Sequence, residues 1–187
     1  APCSGVYASD SEWYSICKGA AARGMFVPSA EAAIVRNQHG DLVLNGAMGV
    51  DKLKVVDGVT EMQLRFISIL TPLNLYSRKL DGDSGLLPQA SFISHMVLGE
   101  EEYVWVDSED LQSCFNIFYL PESWWGYFAY SKKVSCAAFG GPADQMTYVA
   151  IRALPMGWTS SVDVIQNFIR RFVFQVCGVP ASLEVNK

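Results

Sequence analysis

Apolar residues recur at helical spacing at Trp13, Ile16, Cys17, Ala20 and Ala21, with Ser9 or Asp10 placed to cap the start and Gly24 to end the helix. Residues 32–35 and 42–44 are two short apolar runs around Gln38-His39-Gly40-Asp41, the pattern of a hairpin closed by a glycine-containing turn. Gly46, Gly49 and Gly58 then predict a loop-rich link, and residues 62–70 (MQLRFISIL) predict a strand. Residues 80–88 are turn-rich, and the acidic run Gly99-Glu100-Glu101-Glu102 predicts a solvated loop before a strand at 103–106. Residues 127–130 and 134–139 bracket Ser131-Lys132-Lys133 as a second hairpin, and 146–153 reads as a further strand. Val162, Ile165, Phe168, Ile169, Phe172 and Val176 return to helical spacing from Ser160 or Ser161, and Gly178-Val179-Pro180 stops the element. Strands and helices mixed without regular alternation predict an α+β fold, a mixed antiparallel sheet with packed helices.

Composition sharpens this picture. A chain of 187 residues, half of them hydrophobic and including 10 Phe, 8 Tyr and 5 Trp, buries much of itself or lies against a partner. Its length suits one domain, or one domain with a small appended subdomain. The most apolar stretch, 162–179, is cut by Arg170 and Arg171, so no membrane-spanning segment is expected. Ala1-Pro2-Cys3 carries neither an initiator Met nor a signal pattern, as expected of a processed product or a piece. The five cysteines have no C-x-x-C pair and no histidine at zinc-like spacing, which predicts reduced thiols in an intracellular reducing compartment. His39 and His95 lie in no nucleophile motif, so hydrolase chemistry has little support. The glycine series lacks the phosphate-loop pattern. A net charge of -5 gives no general attraction to phosphate backbones.

Three ordered segments carry a resemblance. Arg65-Phe66-Ile67 is followed by Asn74; Asp110-Leu111-Gln112-Ser113-Cys114-Phe115 leads into Asn116-Ile117-Phe118-Tyr119-Leu120-Pro121; and Leu154-Pro155-Met156-Gly157-Trp158-Thr159-Ser160-Ser161 is followed by Gln166. Together they resemble the fingers block, the first palm motif and the Pro-Gly block of retroelement reverse transcriptases, with divergent protist and algal retroelements the most similar type. The segment Trp124-Trp125-Gly126-Tyr127-Phe128 is similar to the stretch that follows the first palm motif.

The resemblance implies fingers and a partial palm, dividing the chain into an N-terminal helix and hairpin region (1–60), a fingers-like segment (61–100) and a palm-like segment (101–187). It implies that Asp110 is the catalytic carboxylate and a Mg²⁺ ligand, since hard divalent ions take carboxylate oxygens. Arg65 would contact the triphosphate with its planar fork. Phe115 would be the gate against a ribose 2′-hydroxyl, and Met156, Gly157 and Gln166 would line the nucleotide and template side. Met156 stands where retroviral members carry Gln. The implied partners are an RNA or DNA template–primer and a dNTP. The family's Tyr-x-Asp-Asp-type hairpin would lie beyond Lys187, so the chain alone is expected not to copy nucleic acid. Two alternatives stay open: a non-catalytic accessory or structural subunit bound to protein subunits of a larger, for example organellar, assembly, and an unrelated α+β binding domain.

Overall fold

The computed structural model describes residues 3–56, 58–86, 96–104, 111 and 113–184. The fold is mixed α+β with antiparallel sheets, and its contacts divide into two compact units, residues 1–78 with 115–159 and residues 79–114 with 160–187.

In the first unit, helix α1 (Asp10–Ala22) begins where the sequence predicts. Ser9 Oγ accepts from the Glu12 N–H while Glu12 accepts from the Ser9 N–H, a reciprocal cap that satisfies two orphan donors. Strand β1 (Phe26–Ser29) pairs with β5 (Met146–Ile151), which pairs in turn with β4 (Val134–Ser135), all antiparallel. Strands β2 (Gly46–Val56) and β3 (Val59–Ile69) form a long separate hairpin. The short helix α2 (Thr71–Tyr76) follows, with Pro72 in its first turn.

An aromatic cluster forms the centre. Tyr130 is fully buried, with Trp13 edge-on at 5.5 Å, Phe26 at 5.4 Å and Phe66 at 6.0 Å between ring centroids. Its hydroxyl shares a 2.7 Å hydrogen bond with Ser68 Oγ, and Trp13 Nε1 donates to the Lys132 carbonyl, so the polar tips of these rings are satisfied. Asn45, also fully buried, donates to the carbonyls of Tyr127 and Ala129 and accepts from the Leu73 N–H, which ties β2, α2 and the 127–129 segment together.

Four expectations are corrected. The predicted loop-rich link at 46–58 is strand β2. Its glycines serve close packing instead: the Gly5 carbonyl lies where a Gly46 Cβ would be, and only Gly58 sits in the turn. Register with β3 satisfies this backbone, and a non-local partner leaves no local signature. The expected hairpin between 127–130 and 134–139 does not form. Ala129 and β4 both pair with β5, whose Val149 and Ala150 are wholly buried, while residues 136–139 turn as a 3₁₀ helix. The first hairpin is shorter than expected. Val43 N–H donates to the Val35 carbonyl and Arg36 bridges Leu42, but Ala32 and Ala33 belong to a 3₁₀ turn. Tyr103 and Val104 are exposed and form no strand, and Trp105 and Val106 lie outside the described residues.

In the second unit, α3 (Ser161–Arg171) runs on into a π-helical turn at Phe172–Val176. Ser160 Oγ accepts from the Leu80 N–H rather than capping its own helix, and Asp163 Oδ1 accepts from the Ser84 N–H at 2.9 Å. Asp163 is 2% exposed, with Lys79 Nζ 3.5 Å from its Oδ2, and Gly82 packs on its Cβ. Burial opposes ionisation of Asp163, but the Ser84 bonds and the Lys79 charge outweigh it and hold the carboxyl below its ordinary 3.8. A lowered folded value means stability that is present above about pH 4 and lost as pH falls through the folded value. Asp163→Asn is expected to cost about 1–2 kcal/mol at pH 7 and to flatten the loss of melting temperature between pH 4 and pH 2; thermal melts across that range test it, and a variant with the parent's acid slope refutes it.

Among the described residues, no helix is long and apolar enough to cross a membrane.

Candidate functional site

A cavity of the first unit, about 690 Å³, opens between the end of α1, the base of β3 and the turn at residues 155–157. Each wall has a local cause. Arg65 sits on β3 opposite Val50, exposed, where the hairpin register aligns it with Lys52 and Gln63 on one face. Arg23 follows the last turn of α1; its backbone N–H donates to the Ala20 carbonyl, and that of Gly24 donates to the Ala21 carbonyl. Phe66 and Met156 supply apolar wall, and Asn116 enters from the 3₁₀ turn Cys114–Ile117.

The turn is held by Asn74 at the end of α2. Asn74 Nδ2 donates to the Gly157 carbonyl at 2.8 Å, and its Oδ1 accepts from the Thr159 N–H at 3.2 Å, so one amide satisfies both polar ends of the turn. Gly157 has φ +94, and a Cβ there would lie 3.3 Å from the Ser68 carbonyl, so backbone conformation and the approach to β3 both require glycine.

Charge on the wall is one-sided. Arg23 and Arg65 line the cavity with no carboxylate beside them, and neither guanidinium has an ion-pair partner among the described residues. Two planar cations next to apolar wall suit an anion that carries an apolar or aromatic body. The lining holds no Cys or His. The nearby Cys17 is buried in the core, and burial pushes its thiol up to about 12, which leaves it inert. The described walls hold no Cys, His or carboxylate, and their hydroxyls are those of Ser15 and Ser68.

The structure brings together Arg65, Met156 and Gly157 of the sequence-derived set. Phe115 lies half-buried in the 114–117 turn, and its neighbour Asn116 takes the place on the cavity wall. Gln166 is half-buried on α3 in the second unit. Asp110, with Asp107 and Glu109, lies outside the described residues. Among the described residues no group of three His, Cys, Asp or Glu side chains is placed to hold a metal. Arg23 and Asn116 were missed from sequence. Arg23 carried only the faint signal of a cation beside the helix-ending Gly24.

No family model matches the chain, and no curated protein matches it.

Proposed function

We propose that the chain is the fingers and front palm of an RNA-directed DNA polymerase, and that the cavity beside Arg65 receives the deoxynucleoside triphosphate. One observation carries the reading. Arg65 of the fingers block and Met156-Gly157 of the Pro-Gly block line one cavity, and Asn74, the fingers block's second member, is hydrogen-bonded to that turn. In this reading Arg65 and Arg23 grip the phosphates, Phe66 and Met156 flank the nucleoside, Phe115 gates the sugar, and Asp110 holds Mg²⁺ in the assembled enzyme. The resemblance assigns Gln166 to the template–primer side. Val162, Phe168 and Phe172 on α3 are 43%, 52% and 48% exposed, an apolar face suited to contact with further palm sequence.

The accessory-subunit reading rests on a different surface. Leu53, Val55, Met62 and Leu64 share one face of the β2–β3 hairpin and are 67–75% exposed, a patch suited to a protein partner.

Calorimetric titration of the chain with dATP and with deoxyadenosine separates the readings. Two arginine–phosphate contacts at about 1.5–3 kcal/mol each, about 3–6 kcal/mol together, predict a dATP Kd of roughly 0.05–5 mM, and no measurable deoxyadenosine binding. Equal binding of the two, or none by either, refutes the triphosphate site.

A further inference from the structure

Strand β3 runs for 11 residues without a proline, a glycine or a bulge. One of its edges is covered by β2, in a register unbroken from Gly46 opposite Ile69 to Val56 opposite Val59. Among the described residues, nothing pairs with the other edge. Residues 59–65 are exposed on both faces, so this end of the hairpin is a two-stranded ribbon in water, the least self-sufficient form of sheet. Alternate residues of such an edge point their N–H and C=O groups outward, and a long uninterrupted row of them is a template for another strand. The edge carries two charges of opposite sign, Glu61 and Arg65, and neither has an ion-pair partner among the described residues.

We propose that two copies of this chain pair antiparallel along the free edge of β3, with the two-fold axis at Gln63, to form a four-stranded sheet in the order β2–β3–β3–β2. The order of residues selects the occupant. About an axis at Gln63, residue 61 lies opposite residue 65 and residue 62 opposite residue 64, so Glu61-Met62-Gln63-Leu64-Arg65 is complementary to itself. Glu61 faces Arg65 of the second copy and Met62 faces its Leu64, each pair occurring twice, and Gln63 faces Gln63, whose amide both donates and accepts. Moving the axis by one residue, to Met62 or to Leu64, sets Glu61 against Gln63 or Ile67 and Arg65 against Val59 or Gln63, and both ion pairs are lost. Opposed residues of antiparallel strands share a face, and within the hairpin Leu53 already lies opposite Met62 and Lys54 opposite Glu61. The paired sheet therefore joins Leu53, Met62 and Leu64 into one apolar band and Lys54, Glu61 and Arg65 into a charge ladder on the other face. Met62 and Leu64 are 69% and 75% exposed in the single chain, and the band gives each an apolar neighbour. The pairing rests on neither functional reading, but it engages Arg65, so association is to be measured without nucleotide.

The test is sedimentation velocity of the intact chain over about 1–500 μM, where an edge this short predicts weak association with a Kd of roughly 10–100 μM. Glu61→Arg and Arg65→Glu each set like charges opposite one another at both ends of the pairing, and each should weaken association about ten- to hundredfold. An equimolar mixture of these two variants restores unlike charges at both ends and should associate within about threefold of the parent, as should the double variant Glu61→Arg/Arg65→Glu with itself. Both positions are exposed, so the melting temperatures should stay at the parent's. A parent chain that is still monomeric at the highest concentration overturns the proposal. Association that the single substitutions leave unchanged, or that neither the mixture nor the double variant restores, overturns it as well.

Discussion

Arg65→Ala is expected to weaken dATP binding by about 10- to 100-fold while leaving the melting temperature within a degree or two of the parent. Arg65 is exposed on β3, and among the described residues it makes no ion pair, so its removal takes nothing from the fold. What it removes is a charge-assisted, two-pronged contact to phosphate, worth about 1.5–3 kcal/mol. Arg65→Lys keeps the charge but not the fork and should fall between parent and alanine variant. Arg23→Ala should weaken binding in the same direction, and raising the salt concentration should reduce the parent's affinity more than that of either variant. An Arg65→Ala chain that binds dATP within twofold of the parent sinks the phosphate assignment, whatever its stability.

Gly126→Ala is expected to destabilise the chain by about 3 kcal/mol or more, and to lower its melting temperature by roughly 6–12 °C. Gly126 lies against backbone on its bare side: an added Cβ would overlap the Ala33 carbonyl oxygen and come within 3.1 Å of its carbon. Neither backbone can give way cheaply. The Gly126 carbonyl accepts from the Val35 N–H, and Val35 in turn accepts from Val43, so a shift at one point breaks the small hairpin beside it. Gly19→Ala is the matched control. Gly19 is inside α1 with nothing within 4 Å of an added Cβ, so alanine there should stabilise by about 0.5–1 kcal/mol through the helix backbone alone. Thermal melts of the two variants should move in opposite directions. A Gly126→Ala protein as stable as the parent would show that the 33–35 and 126 backbones are not held in contact.

The opposed signs of those two glycine substitutions illustrate how the sequence and the tertiary structure divide the account. The start of α1 was readable because Ser9, Glu12, Trp13 and Cys17 interact within a few residues of one another, and local hydrogen bonds with a 3.6-residue period leave their mark in the order of residues. α3 was readable for the same reason, and β3 and β5 from their apolar, β-branched runs. β2 was not, because Gly46 and Gly49 read as loop until Gly5 and Leu64 lie across from them, and those neighbours are set by register rather than by sequence distance. The 127–139 segment was misread because its best partner is β5 rather than itself, and buried Val149 and Ala150 offer more apolar contact than a local hairpin would.

The candidate site divides in the same way. Sequence alone determined the residue types with suitable chemistry, Arg65 and the Pro155-Met156-Gly157 turn, because charge and backbone freedom belong to the residues themselves. Only the tertiary structure decided that Arg23 and Asn116 join them, and that Asn74 bonds to the turn. Cavities exist only once elements far apart in the chain pack together.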